Sequence, residues 1–209
     1  IMAFVSQYLG GVFEGRGSWF LLFVAMIITT LLTNAASNIA IGTAKVLGVE
    51  LMTNFRQPYF AHSVTNFWAR WHISLSSWFR DYVYIPLGGS REGKARTYLN
   101  LLAVWVLTGL WHGSTLNFLL WGLFLFALIA LERAGWGRVL DKSRVLSRVY
   151  MVLMIPLSWL LFAIPSVGRI GVYLGRLFPI VSRGVAVNAP WRWLLSWWSP
   201  ASPPPCAVW

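Results

Sequence analysis

A long stretch near the middle of the chain, from Thr97 to Leu131, contains no charged side chain, yet a histidine, His112, lies inside it. The absence of charge over this length favours a location in a membrane. An ionisable residue inside a membrane costs free energy, so it indicates a functional site by default. This stretch therefore predicts a membrane protein whose chemistry involves His112.

The composition agrees with a membrane location. Hydrophobic residues make up 57% of the chain and charged residues 11%, whereas an average soluble domain has about 45–50% apolar and about 25% charged residues. The chain also contains 14 tryptophans, and these amphipathic side chains are enriched where a bilayer meets water. We interpret most of them as interface anchors or packing residues.

The net charge of +11 raises the alternative of a nucleic-acid-binding protein. The cations, however, lie between long apolar runs, so we interpret them as topology signals and as contacts for anionic lipid head groups. We therefore expect membrane lipid as a partner and no nucleic acid. The single cysteine, Cys206, excludes an internal disulfide, and three histidines without matching acids or thiols predict no metal site.

Four apolar segments predict an all-α fold, a polytopic membrane helix bundle. Helices are expected because only helices and closed barrels satisfy the backbone in lipid, and no alternating strand pattern occurs. Pro156, in the last segment, is a candidate site for a kink. The segments run from Trp19 to about Ile41, from Leu99 to Leu110, from Leu116 to Leu131 and from Val149 to Ile164.

Basic clusters that end at Arg96 and begin at Arg133 flank the two middle segments, and the positive-inside rule assigns both clusters to the cytoplasmic side. These segments hold 12 and 16 residues, roughly 18 and 24 Å of helix, which is short of the ~30 Å of a full span. We therefore predict a hairpin whose tip, at 112–114, is held within the membrane. Gly109 and Gly113 would let a substrate or another backbone approach closely.

The region between the first segment and this hairpin contains a second histidine, His72. Ser63 or Thr65 offers an N-cap, and an amphipathic helix is predicted from about Asn66 to Tyr82. Pro86–Gly89 then predicts a turn that ends this helix. Such a helix would lie in the membrane interface or line a polar cavity.

His112 has a structural and a functional interpretation. It could hold two helices together through a hydrogen bond. The functional interpretation is that an imidazole in an apolar environment stays uncharged, because burial disfavours the protonated form. Such a ring can accept a proton from an alcohol, which is what a general base does at neutral pH.

The other titratable residues of this region have simple structural interpretations. His72 can be a solvated or packed interface residue, and His62 is interpreted as a loop residue without a partner. Asp81 directly follows Arg80, which predicts a local salt bridge or an acid that orients an imidazole.

Taken together, several motifs resemble the membrane-bound O-acyltransferase (MBOAT) family. The chain looks most like the bacterial branch, which includes alginate O-acetylation proteins and D-alanyl transfer proteins of teichoic acids. The match covers about 38–122 strongly and 157–178 weakly. The motifs are Asn54-Phe-Arg-Gln-Pro58-Tyr59, Asn66-Phe-Trp-Ala-Arg-Trp-His72-Ile-Ser-Leu-Ser-Ser-Trp-Phe-Arg80-Asp81, Arg96-Thr-Tyr-Leu-Asn100 and Gly109-Leu-Trp111-His112-Gly113.

The resemblance implies a multi-helix inner-membrane enzyme with a funnel or tunnel, in which His112 is catalytic and His72 is a second active-site candidate. It implies transfer of an acyl group, in the first place acetyl, to a hydroxyl of a cell-envelope or exported polysaccharide. The donor would be a thioester, acetyl-CoA or an acyl-carrier protein, with no bound cofactor. A periplasmic acetyltransferase is a further expected partner. The candidate substrate-binding residues are Trp111, Arg80, Asp81 and Asn100.

We expect one transmembrane catalytic region at 1–185, with core motifs at 38–122, and an irregular Trp- and Pro-rich tail at 186–209. Because members of the family are longer, and because no signal peptide precedes the first apolar run, we expect a fragment of a larger protein. Two alternatives remain open at this point. One is a transport or channel module with a proton-relay histidine, and the other is an inactive, truncated relative that serves as an assembly partner.

Overall fold

The computed structural model describes residues 19–177, and these residues are helical apart from turns, loops and one isolated bridge between Phe55 and Trp71. The predicted all-α class is confirmed. The predicted tail at 186–209 lies outside the described residues. The α-helices are α1 (Trp19–Val46), α2 (Val64–Trp68), α3 (Ile73–Phe79), α4 (Lys94–His112), α5 (Leu116–Leu131), α6 (Gly137–Lys142), α7 (Arg144–Ala163) and α8 (Val167–Leu177).

All four predicted apolar segments lie within helices, but the helices are longer than the segments. Among the described residues, three stretches are long and apolar enough to cross a membrane, namely Met26–Val46, Leu116–Lys142 and Arg144–Ala163. The expectation that the second hairpin half is too short is wrong, because a π-helix at Glu132–Trp136 continues α5 to Lys142. The first half, α4, has 19 residues, roughly 28 Å, and is not among the three stretches. Charged residues do not end these helices, because Lys, Arg and Glu are good helix formers.

The hairpin itself is present. Helices α4 and α5 pack against each other and are joined by the short connection 113–115. A Cβ atom at Gly109 would lie 2.7 Å from the Phe118 carbonyl oxygen, so this glycine does allow the close backbone approach that was expected of it. The depth of the hairpin tip in the membrane stays a prediction.

The predicted continuous helix at 66–82 is wrong, because the segment is divided into three pieces. Ser63 caps α2 by accepting a hydrogen bond from Asn66 N at 3.1 Å, as expected, but α2 ends at Trp68. The chain then pairs Trp71 with Phe55 before α3 begins, and a π-helix at Arg80–Tyr84 follows α3. The helix is interrupted because the backbone of Trp71 pairs with that of Phe55, and this tertiary contact outweighs the helical pattern of the sequence.

The turn at Pro86–Gly89 and the loop that contains His62 connect helices around the site. The predicted turn at Pro86–Gly89 is confirmed, with left-handed backbone at Gly88 and Gly89. His62 lies outside the helices, as interpreted, but it does have a partner, because its Nε2 atom is 3.5 Å from Asp141 Oδ1. Helix α7 runs through Pro156 to Ala163.

The core is built largely from aromatic rings. Trp68 contacts Trp105 and Trp121 edge to face, at centroid distances of 5.2 and 5.6 Å, and Trp71 stacks on Phe67 at 5.6 Å. Edge-to-face and offset-stacked pairs are the favoured aromatic geometries. The tryptophans of this cluster therefore serve as packing residues, and they join α2 to the α4–α5 hairpin.

Candidate active site

A cavity of about 670 Å³ lies between the α4–α5 hairpin, α1, α7 and the segment that contains α2 and α3. Its volume falls in the range of small-molecule sites. Aromatic side chains form much of its wall, and both expected histidines, His72 and His112, line it. The fold thus brings to one cavity two histidines that are 40 residues apart in the sequence.

His112 is the last residue of α4, where the chain turns into the hairpin connection. Its ring meets the rings of Trp121 and Phe162 edge to face, both at 5.0 Å between centroids. Phe118 stacks on it at 6.2 Å. Aromatic neighbours from α5 and α7 therefore fix the imidazole in a largely apolar wall of the cavity.

His72 lies just before α3 in left-handed backbone conformation, at φ 47° and ψ 54°. This conformation is uncommon for a residue other than glycine and stores strain. Asn54 holds the backbone on its C-terminal side, because its carbonyl oxygen accepts from Ile73 N at 3.1 Å and its Oδ1 accepts from Ser74 N at 3.0 Å. Strain of this kind, supported by neighbouring contacts, is common at functional sites.

The environment of His72 favours a neutral ring. Burial lowers the pKa of His72 below its usual value of 6.5. Its Nδ1 atom is buried and has no hydrogen-bond partner among the described residues, and the residue lines the cavity. A neutral His72 ring can therefore hydrogen-bond a substrate.

Trp111 connects the two histidines. Its ring centroid is 6.3 Å from that of His72 and 4.8 Å from that of His112. The indole is 58% exposed and lines the cavity. A ligand next to Trp111 is therefore within reach of either imidazole.

The predicted ion pair between Arg80 and Asp81 is present and bidentate. Arg80 Nε and a terminal guanidinium nitrogen donate to the two carboxylate oxygens of Asp81 at 2.7 and 3.1 Å. The Arg80 guanidinium lowers the pKa of Asp81, and Asp81 raises the pKa of Arg80. Arg80 lines the cavity and Asp81 does not, so the acid orients the cation.

The side chain of Asn100 makes its hydrogen bonds within the fold. It is buried in α4, and its Nδ2 atom donates to Leu87 O at 3.0 Å and to Gly89 O at 2.9 Å. It does not line the cavity. The structure thus brings His72, His112, Trp111 and Arg80 together, whereas Asn100 holds the turn that follows the π-helix at Arg80–Tyr84.

Two positioning residues were not identified from the sequence. One is Asn54, described above. The other is Glu132, which is 7% exposed and accepts hydrogen bonds from Val64 N at 2.6 Å and Thr65 N at 2.9 Å. A carboxylate at the N-terminus of a helix is favourable. The sequence does mark Glu132 as unusual, because it is the first charged residue after the uncharged stretch from Thr97 to Leu131.

Within 19–177, no group of three or more His, Cys, Asp or Glu side chains is placed to hold a metal ion. The polar side chains that line the cavity include imidazoles, hydroxyls, indoles, the amide of Asn54 and the guanidinium groups of Arg80 and Arg133. These groups can form hydrogen bonds with a ligand, and the imidazoles can also transfer protons.

Comparison with known proteins adds independent information. Three relatives share segments with this chain. A probable alginate O-acetylase AlgI of Pseudomonas syringae is 40% identical over 143 residues, 68% of this chain and 28% of the relative. A peptidoglycan O-acetyltransferase of Helicobacter pylori is 40% identical over 97 residues, which are 46% of this chain and 18% of the relative. A teichoic acid D-alanyltransferase of Bacillus subtilis is 30% identical over 92 residues, which are 41% of this chain and 23% of the relative.

The aligned segments thus span less than a third of each of these relatives. The sequence model of the membrane-bound O-acyltransferase family matches residues 12–171, which include every helix from α1 to α7 and both cavity histidines. The resemblance of the motifs is thereby confirmed over most of the chain. The chain belongs to the membrane-bound O-acyltransferase (MBOAT) family.

Proposed function

We propose that this chain carries the histidine-bearing part of a membrane O-acyltransferase. The enzyme would move an acyl group, acetyl in the first place, from a thioester donor to a hydroxyl of a cell-envelope or exported polysaccharide. The observation that carries the proposal is the single cavity lined by His72 and His112 in a chain of this family. The relatives named for alginate, peptidoglycan and teichoic acid support an acceptor of the same class.

In the proposed reaction His112 is the general base. A neutral ring nitrogen takes the proton of the acceptor hydroxyl while the hydroxyl oxygen attacks the thioester carbonyl carbon. The tetrahedral intermediate then expels the donor sulfur, so that a C–O bond forms and the C–S bond breaks. The imidazolium returns its proton to the thiolate, which leaves as a thiol. General-base catalysis of this kind contributes about 10²–10⁴-fold to the rate.

His72 and Arg80 also line the cavity and would assist. His72 would hydrogen-bond a polar group of the donor or the acceptor. Arg80, oriented by Asp81 at 2.7 Å, would bind an oxygen of the substrate. Trp111, between the two imidazoles, would pack against the reacting groups.

The proposal includes the setting of the reaction. The apolar helices and the basic clusters favour a multi-pass protein of the inner membrane, with the clusters on the cytoplasmic side. The thioester donor, acetyl-CoA or an acyl-carrier protein, would enter from that side. The polysaccharide, or a periplasmic acetyltransferase that passes the acyl group on, would be the acceptor.

The proposal is tested with the full-length protein and a radiolabelled acetyl donor. We expect His112→Ala and His112→Gln to insert and express normally and to lose transfer of label to the polymer. The matched control is His62→Ala, which replaces an exposed loop histidine outside the cavity. Retained transfer in both His112 variants would overturn the proposal. Histidine-dependent flux without a labelled product would support the transport alternative, and an inactive wild type would support the assembly-partner alternative.

A further inference from the structure

The cavity extends along the hairpin from its tip to its base. Near the tip, Trp121 contacts the His112 ring at 5.0 Å. Arg133 also lines the cavity, and it follows Trp121 by 12 residues along α5 and the adjoining π-helix. At a rise of about 1.5 Å per residue, this separation is roughly 18 Å. A ligand that touches both ends must therefore be about 18 Å long.

The cavity wall carries one positive charge, that of Arg133, which no ion pair compensates among the described residues. Among its described lining residues are two arginines, Arg80 and Arg133, and no aspartate or glutamate. Asp81 neutralises Arg80. Arg133 takes part in none of the ion pairs found within 19–177. The imidazole end and the Arg133 end of the cavity are thus chemically different.

The neighbouring acid does not change this conclusion. Glu132 directly precedes Arg133, but its two carboxylate oxygens accept hydrogen bonds from Val64 N, Thr65 N and Thr65 Oγ1, at 2.6 to 2.9 Å. The carboxylate is therefore turned toward the N-terminus of α2. The exposed guanidinium of Arg133 is left to bind an anion from outside the chain.

We propose that Arg133 binds a phosphate group of the acyl donor, whose arm then lies along the cavity with its thioester carbonyl at His112. This inference rests on the proposed function and deepens it, because it defines the donor as a phosphate-bearing thioester. A guanidinium is planar and binds phosphate through two parallel hydrogen bonds. A phosphorylated lipid head group offers the same chemistry, so the experiment must separate the two sources.

The test compares two donors with the full-length protein in vesicles of zwitterionic lipid. Acetyl-CoA carries phosphate, whereas acetyl-N-acetylcysteamine presents the same thioester without phosphate. We expect Arg133→Gln to raise KM for acetyl-CoA about tenfold, the effect of about 1.4 kcal/mol of lost binding. The kcat for acetyl-CoA, and both constants for the phosphate-free donor, should stay unchanged. The matched control is Arg138→Gln, because Arg138 is an exposed cation nearby that does not line the cavity.

The inference is overturned by an unchanged KM for acetyl-CoA in Arg133→Gln, by an equal change for both donors, or by an equal change in Arg138→Gln. An effect that appears only when the vesicles contain phosphatidylglycerol would assign the phosphate to lipid and overturn the donor assignment. Equilibrium dialysis of coenzyme A, which needs no turnover, separates the two proposals. If the wild type transfers no acetyl group, the proposed function is contradicted. If the wild type and Arg133→Gln bind coenzyme A equally well, the role of Arg133 is contradicted.

Discussion

Gly122 of α5 lies directly against the backbone carbonyl oxygen of Trp105 of α4, so closely that a Cβ atom at position 122 would be 2.4 Å from that oxygen. Nearer the tip, Gly109 is in the same relation to the carbonyl of Phe118, at 2.7 Å. The two glycines therefore let the hairpin helices approach backbone to backbone. This close approach places Trp121, next to Gly122, against the His112 ring.

The first prediction concerns this contact. In Gly122→Ala the added methyl group meets backbone, which cannot move aside as a flexible side chain could, so we expect a loss of about 1–3 kcal/mol in the free energy of unfolding. This loss is measured as a decrease in the midpoint of thermal unfolding of the purified full-length protein. The matched control is Gly42→Ala in α1, where a Cβ atom meets nothing within 4 Å and alanine is the better helix former. Equal midpoints for the two variants would contradict this account of the hairpin.

The second prediction concerns Asn54, which holds the start of α3 beside His72. Asn54→Ala removes the acceptor for Ser74 N and Ser74 Oγ, which lie 3.0 and 2.6 Å away. Loss of a cap of this kind costs about 0.5–2 kcal/mol, and acyl transfer should fall because His72 is less firmly placed. Asn54→Asp keeps the acceptor oxygens and should retain most of both properties. If the two variants behave alike in melting and in transfer, the side-chain oxygen has no positioning role.

The third prediction concerns Glu132 as the anchor of α2. Glu132→Ala leaves two backbone donors, Val64 N and Thr65 N, without their acceptors, and a buried unsatisfied donor costs about 1–3 kcal/mol. Glu132→Gln keeps an acceptor oxygen and should be milder. Hydrogen exchange should show faster exchange at these two amides in Glu132→Ala, with little change in α7. Unchanged protection at both amides would show that the carboxylate is not their acceptor in solution.

Much of this arrangement follows from the sequence, and the exceptions share one cause. The apolar segments, the turn between His112 and α5, the Ser63 cap and the Arg80–Asp81 pair all depend on neighbours within a few residues. Such features are readable from local patterns. The two histidines and Trp111 line one cavity, an arrangement that no local pattern encodes and that the motif resemblance implies. Their catalytic and binding roles stay predictions.

The features that were missed depend on residues distant in sequence. Asn54 reaches Ser74 across 20 residues and Glu132 reaches Val64 across 68, and no local pattern encodes either contact. The break between α2 and α3 has the same origin, because the pairing of Phe55 with Trp71 overrides helix propensity. The role of Asn100 in substrate binding stays a prediction. In the structure its amide nitrogen donates to two backbone carbonyls, Leu87 O and Gly89 O.

The last prediction concerns the pH dependence of stability. Burial lowers the pKa of His72 below 6.5, so the folded protein binds a proton at this ring less readily than the unfolded chain does. Its contribution to stability is therefore complete above the unfolded pKa and is lost as the pH falls from 6.5 toward the folded pKa. His72→Asn removes the titration and tolerates the left-handed backbone. We expect its thermal midpoint to fall less steeply with decreasing pH than that of the wild type. A slope that is the same in His72→Asn and in the wild type would show that His72 is not the titrating group.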